Sequence, residues 1–237
     1  SAIEFMTTDG TLIRRNRAEH GDEFAGMVVS LGALGIVTQI TLDIIPTFDM
    51  RQDVYLNLPL DTLYENFDAI QASAYSISLF TDWVNNTITQ AWLKSVVDDD
   101  TPFTLGDTFF GAKSATVPCS PVGDDRTKRC TEQNGVRGAW YDRLPHFRME
   151  FSPSHGDEIQ SEYFVPRESA IEAIKAMNAL HADITPLLYI TEIRAIKADD
   201  LWLSTAYGRD SIALHFTWKP MWAEIRPVLE KIETALI

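Results

Sequence analysis

The sequence predicts an α+β fold: a mainly antiparallel sheet backed by amphipathic helices. A unit of strand, proline and amphipathic helix recurs three times, with the prolines at Pro59, Pro166 and Pro220. Further β-branched or aliphatic runs follow the first two helices, at 76–83, 87–95 and 187–196. Helices alternating with strands in this way bury their apolar stripes against one face of a sheet. Hydrophobic residues make up 45% and charged residues 23%, enough apolar material to fill such a core.

Residues 2–16 read as a hairpin, with Ile3–Met6 and Thr11–Arg14 as strands and Asp9-Gly10 as the turn. A helix is expected over 21–31, with Asp22 near its start and Phe24, Val28 and Leu31 on one buried face; Gly32-Ala-Leu-Gly35 ends it. A strand over 36–45 stops at Pro46. The first repeating unit has a strand at 53–58 and a helix burying Leu60, Leu63, Phe67 and Ile70. The second has a strand at 161–165 and a helix carrying Ile171, Ile174, Met177 and His181. The third has a strand at 211–218 and a helix carrying Trp222, Ile225, Leu229, Ile232 and Leu236. Proline suits the head of each helix, because the first-turn N–H groups have no intrahelical partner to lose.

The stretch 97–137 is the least regular, with acidic turns at Asp98–Asp100 and Gly123–Asp125 and a Phe109-Phe110 pair expected to pack locally. A long polar insertion of this kind is either a functional lid or a mobile loop, and the composition fits both. The third unit has no closing strand before Ile237, and the opening hairpin and helix bury little by themselves. Both ends are therefore expected to be cut, the chain being part of a longer protein.

Lys and Arg number 20 against 34 Asp and Glu, a net charge of −14, with no basic cluster to offset it. An acidic surface repels phosphate backbones, so nucleic acid is not an expected partner. No apolar run approaches the roughly 20 residues needed to cross a bilayer, and no membrane partner is expected. Ser1-Ala-Ile-Glu-Phe5 shows no secretory signal, which points to the cytoplasm. Cys119 and Cys130 stand eleven positions apart (119 to 130), a spacing of neither a redox pair nor a zinc knuckle. A disulfide closing that loop is open, with two reduced thiols the reading that fits a cytoplasmic protein. The five histidines show no HxxxH or HxH spacing, and no metal site is expected.

The most informative residues are Glu192 and Arg194, within the otherwise apolar strand 187–196. Alternation puts Ile190, Glu192 and Arg194 on one face and Tyr189, Thr191 and Ile193 on the other. In the strand 211–218, Ile212, Leu214, Phe216 and Trp218 form an apolar face, leaving Ala213, His215 and Thr217 opposite. Opposite charges in so apolar a segment cost free energy unless solvated, paired or used. If the two strands are neighbours, a carboxylate, a guanidinium, an imidazole and a hydroxyl converge, which suits a polyhydroxylated ligand. The competing reading is a solvated sheet face with a surface ion pair worth little.

Five segments in order carry a resemblance: Leu31-Gly-Ala-Leu-Gly-Ile-Val-Thr38, Ser78–Trp83, Leu144–Pro153, Ile159–Arg167 and Ala206–Trp218. Through them the chain resembles the FAD-linked alditol (xylitol) oxidases of the vanillyl-alcohol oxidase superfamily. The resemblance implies that residues 1–46 end an FAD-binding domain and that 47–237 form a substrate-binding cap domain, incomplete at its C-terminus. It implies FAD contacts at Gly35 and Val37, where glycine would let the cofactor approach the backbone. It further implies Glu192, Arg194 and Thr217 as substrate-binding residues, with Arg194 and His215 catalytic. The implied reaction oxidises the C1 hydroxyl of a polyol to an aldose by hydride transfer to flavin, with O2 reduced to hydrogen peroxide. Arg194 would stabilise the developing alkoxide, Glu192 would accept hydroxyl hydrogen bonds and orient Arg194, and His215 would take a proton.

The family's pyrophosphate-binding loop, flavin-linking histidine and C-terminal active-site lysine have no match here. Neither bound flavin nor turnover is therefore expected of this polypeptide alone. Two alternatives stand beside this reading: an aldonolactone oxidase of the same architecture, and a non-catalytic α+β binding module. The oligomeric state and the preferred alditol stay open.

Overall fold

The computed structural model describes residues 1–98, 106–151 and 156–237. They form two compact units, Ser1–Pro46 with Ile196–Ser211, and Thr47–Ala195 with Ile212–Ile237. The segment Ile196–Ser211, expected within the second part, clusters with the first.

In the first unit, β1 (Ala2–Met6) and β2 (Leu12–Asn16) make the expected antiparallel hairpin, and β3 (Ile36–Thr41) pairs with the other side of β1. The strand expected to reach residue 45 stops at Thr41. The helix α1 (Arg17–Val28) starts four residues earlier than expected (17 against 21). Asn16 caps it by accepting from the Glu19 N–H at 2.8 Å while donating to the Glu19 carboxylate at 2.7 Å. Asn-x-x-Glu is a variant of the capping box, a signal legible in the sequence and passed over. Gly21 at φ 36° kinks the helix, so Phe24 is buried whereas Val28 is 40% and Leu31 88% exposed. The expected three-residue face does not form, because Leu31 lies past the helix end with φ 51°.

Gly35 has its own reason to be glycine. Its φ is +133°, and a Cβ there would sit 2.1 Å from the Met6 carbonyl oxygen. The backbone that approaches it closely is β1 of its own sheet, so the glycine requirement is met inside the chain.

The second unit is built on β4 (Asp49–Pro59), α2 (Leu60–Gln71), β5 (Ser76–Thr81), β6 (Thr87–Val97), β7 (Thr108–Phe109), β8 (Ala112–Ser114), β9 (Gly138–Ala139), β10 (Ile159–Pro166), α3 (Ala170–Ala179), α4 (His181–Ile184), β11 (Leu188–Ile196), β12 (Ser211–Trp218) and α5 (Trp222–Leu236). The strands join in the order β10-β12-β11-β5-β6-β4-β8-β7, with β9 also on β4. The pairings along β11-β5-β6-β4 are antiparallel, and the expected α+β class is borne out.

One face of the sheet carries the helices. Leu60, Leu63, Phe67 and Ile70 of α2, Ile174 and Met177 of α3, and Ile225, Val228 and Ile232 of α5 bury against Leu79, Leu93, Ile193, Leu214 and Phe216. Each such side chain contributes about 1.5–3 kcal/mol on full burial. Two expectations fail at helix ends. His181 opens the separate short helix α4 and is exposed, and Trp222 is 56% exposed, the buried residues of α5 being Ile225, Val228 and Ile232. On this face Trp83, at φ 64°, donates its indole N–H to Thr191 Oγ1 at 2.8 Å, so two buried polar groups satisfy each other.

The β7–β8 hairpin extends the sheet beside β4, and its Phe109, packed on Phe110 with ring centroids 4.9 Å apart as expected, joins the helix-side core. The other face is roofed by residues of the segment 115–151. Gly123, at φ 124°, precedes a 3-10 turn at Asp124–Arg129, and Cys130 bridges to Phe147. Ala115, Cys119, Val122, Cys130 and Phe147 pack on Val54, Phe80, Trp92 and Ile190 of the sheet. The irregular segment is therefore a packed cover in its described part; the acidic turn beyond Asp98 lies outside the described residues, as do residues 152–153 of the Leu144–Pro153 segment. Cys119 and Cys130 are not joined as a disulfide. No described helix is long and apolar enough to cross a membrane.

Candidate functional site

The covered face carries a row of polar side chains through five adjacent strands. From the outer strand inward these are Glu162 on β10, His215 and Thr217 on β12, Glu192 and Arg194 on β11, Ser78 on β5 and Lys94 on β6. Strand alternation aligns them: their apolar neighbours Ile193, Ile212, Leu214 and Phe216 face the helices instead. The four residues singled out from the sequence thus lie on neighbouring strands and on the same face.

Between this row and the cover lies a cavity of about 170 Å³. Glu192, His215, Thr217, His146, Glu158 and Gln160 are among its polar lining, and Phe80 and Val122 among its apolar walls. The solvated-face reading does not hold for Glu192, which is 7% exposed. Arg194 is half-buried and sits beside this lining.

The pairing within the row differs from expectation. Glu192 was expected to orient Arg194, but its Oε1 is 3.8 Å from Arg194 Nε and 2.8 Å from His146 Nε2. Arg194 gives its terminal N–H to Glu162 on β10. Glu162 also lies 3.9 Å from His215 Nδ1, and Thr217 Oγ1 lies 3.4 Å from His215 Nε2. Arg194 Nε and His215 Nδ1 are both buried, and neither has a hydrogen-bond partner among the described residues. Leaving such atoms unmade costs about 1–3 kcal/mol each, so a site with two of them is poised for a ligand.

At the inner end of the row sits Lys94, 2% exposed, its ammonium donating to the Leu144 carbonyl and lying 2.9 Å from His146 Nδ1. Burial lowers the Lys94 pKa to about 7, against the attraction of Glu192. Burial also lowers the pKa of His146 and of His215, so both imidazoles are neutral at pH 7. For Glu192 burial pushes upward, yet the hydrogen bond from His146, together with Arg194 and Ser78, outweighs it and holds the carboxyl at about 2. The buried row therefore contains an ionised carboxylate, a guanidinium and neutral imidazoles.

Such a site offers hydrogen-bond acceptors at Glu192 and His215, donors at Arg194, and a hydroxyl at Thr217 that does both. That mixture matches a chain of vicinal hydroxyls. His146, Lys94, Ser78 and Glu162 were missed as site residues. Lys94 had a signal, a lone charge in the apolar run Ala91-Trp-Leu-Lys94, of the kind that drew attention to Glu192. Glu162 shares a strand face with Gln160 in a segment already quoted. His146 arrives from irregular chain whose direction no periodicity encodes. No group of His, Cys, Asp and Glu able to hold a metal ion occurs among the described residues.

No family model matches the chain. It is 42% identical over 234 residues to alditol oxidase of Streptomyces sp. (strain IKD472 / FERM P-14339), a match covering 99% of this chain and 54% of that protein. It is 24% identical over 229 residues to L-gulono-1,4-lactone dehydrogenase of Mycobacterium tuberculosis, covering 90% of this chain and 51% of the relative. The chain thus spans about half the length of these curated relatives. Among solved structures, a BBE-like protein (#28) from Arabidopsis thaliana matches with TM-score 0.53 at 9% identity, covering 99% of this chain and 51% of that one, a likeness of fold alone. The resemblance to alditol oxidases read from the sequence motifs is borne out, for a stretch corresponding to part of such a protein.

Proposed function

We propose that this chain is the substrate-binding part of an FAD-linked alditol oxidase, and that its covered sheet face holds a polyol for oxidation at C1. The observation that carries the reading is the convergence of Glu192, Arg194, His215 and Thr217 beside one cavity, with Arg194 Nε and His215 Nδ1 buried and without a hydrogen-bond partner among the described residues. Each buried sugar hydroxyl needs a partner, and these atoms are open to provide one.

Arg194 directs its spare Nε–H to the C1 oxygen, where a charge-assisted hydrogen bond strengthens as alkoxide character develops. His215, neutral and with a vacant nitrogen, accepts the hydroxyl proton. Glu192 and Thr217 hold further hydroxyls and fix which carbon lies at the reacting end. FAD, when bound, supplies the hydride acceptor, and its reoxidation by O2 yields hydrogen peroxide. Gly35 and Val37 are the residues of this chain we assign to the cofactor. Val37 fits backbone contact, since it is exposed on β3, an edge strand among the described residues, and Gly35 is the residue just before that strand. Two cysteines at a spacing of neither a redox pair nor a zinc knuckle suit a reducing, cytoplasmic setting.

A second reading, oxidation of an aldonolactone, is favoured by the similarity to L-gulono-1,4-lactone dehydrogenase. Peroxide production by the full-length protein from xylitol, sorbitol and aldonolactones decides between them. Turnover of lactones alone, or of none of these, would overturn the alditol reading.

A further inference from the structure

We propose that His146, held by Lys94 in the tautomer with hydrogen on Nε2, is a positioning residue that keeps Glu192 an ionised acceptor aimed into the cavity. That role presupposes the polyol reading of the site. Lys94 Nζ lies 2.9 Å from His146 Nδ1 and donates in parallel to the Leu144 carbonyl. An ammonium or an amine can both donate at that nitrogen, so Nδ1 accepts and the ring hydrogen stands on Nε2. Nε2 then donates to Glu192 Oε1 at 2.8 Å.

The ring is fixed in place as well as in protonation. It stands edge-on to Phe80 and Trp92, with centroids 5.5 and 5.4 Å away. The chain that carries it is tied down by Thr131, which donates from Oγ1 to the Pro145 carbonyl at 2.7 Å and from its N–H to the His146 carbonyl at 3.0 Å. Lys94, His146 and Glu192 come from three separate parts of the chain, and only this meeting of cover and sheet aligns them.

The carboxylate needs such support. At 7% exposure an unassisted Glu192 would favour its protonated form. A protonated carboxyl would donate where a substrate hydroxyl also donates, and the negative charge beside Arg194 would vanish. The charged and titratable groups around it are His146 and Lys94 on the cover side and on β6, Arg194 on β11 itself, His215 on β12 and Glu162 on β10. Of these, His146 makes the short hydrogen bond.

The test uses full-length, flavin-loaded protein and the pH dependence of kcat/KM with xylitol. His146→Leu removes the donor, so the Glu192 carboxyl, held at about 2 in the wild type, is expected to rise to ~7, above His215; the acid limb then follows it and kcat/KM at pH 6 falls ~10-fold, flavin content unchanged. His146→Gln returns an N–H near the Nε2 position and should restore most of the rate and the low acid limb. If the leucine variant does not fold, His146→Asn, whose shorter amide stops short of Glu192, should show the same upward shift. An acid limb unmoved in His146→Leu or His146→Asn, or a glutamine variant no better than leucine, overturns the proposal. Failure of the wild-type protein to oxidise any polyol would instead overturn the site reading, and this role with it.

Discussion

Lys94→Met is expected to remove a large pH dependence of stability. In the folded protein Lys94 is 2% exposed and its pKa is lowered from 10.5 to about 7, chiefly by burial. A lysine with a depressed folded pKa sheds its proton earlier in the native state than in the unfolded chain. Between pH 7 and 10.5 the unfolded chain therefore binds more protons, and stability rises with pH across that window. The full shift corresponds to about 5 kcal/mol at 1.36 kcal/mol per unit; from pH 6 to pH 10 the Lys94 share is about 4 kcal/mol. Methionine has no such titration, so the difference between wild type and variant must itself change by about that amount. Urea denaturation followed by tryptophan fluorescence at pH 6, 8 and 10 measures it, with Trp92 of the same strand face beside the cover. At pH 6 the variant is the better placed of the two; by pH 10 that advantage has gone, and the hydrogen bonds lost at Leu144 and His146 dominate. Stability curves that run parallel over this range would refute a buried, depressed lysine.

Three further outcomes follow from the same geometry. Arg194→Ala in the full-length enzyme should lower kcat for polyol oxidation by about 10²–10³ with flavin retained, as for loss of an oxyanion donor; unchanged turnover would remove Arg194 from the chemistry. Glu192 has a folded pKa lowered from 4.5 to about 2, so its stabilisation is present above pH 4.5 and lost as pH falls towards 2. Glu192→Gln should flatten that acid loss, by up to about 3 kcal/mol, in acid titrations monitored by circular dichroism. Gly35→Ala should destabilise the first unit by about 1–3 kcal/mol, read as faster amide exchange in β1 and β3, because its Cβ would sit 2.1 Å from the Met6 carbonyl oxygen.

The sheet and its helices were legible because their signals are local and periodic. The apolar stripe Leu60, Leu63, Phe67 and Ile70 repeats at helical spacing, and the face split of 188–196 and 211–218 follows from alternation alone. Glu192 and Arg194 stood out for the same reason, as charges at odds with their strand. Contacts made across long sequence separations were not legible. His146 meets Glu192 from 46 positions away and Lys94 from 52, through chain with no period to extrapolate. Arg194 was given to Glu192 because the two are neighbours on one strand. The order β10-β12-β11, which brings Glu162 within reach of the guanidinium, is a topological fact that strand patterns do not encode. Helix ends erred where a local device overrode periodicity: the Asn16 cap and the Gly21 kink in α1, and the break before His181.

Taken together, the two faces of one sheet divide the work of the second unit. Burial on the helix face is apolar and supplies cohesion. On the covered face a charge at Lys94, one at Glu192 and a half-buried one at Arg194 sit in low-dielectric surroundings, where burial alone would neutralise the first two. A solely structural face would be more stable with apolar residues of similar size, since buried ionic groups are poor sources of net stability. The arrangement is coherent if the row is completed by a ligand whose hydroxyls meet Arg194 Nε and His215 Nδ1, two buried atoms that have no hydrogen-bond partner among the described residues. On that argument, polyol binding should protect the strands β11 and β12 from amide exchange more than α2 and α3, and uniform protection would count against a site on this face.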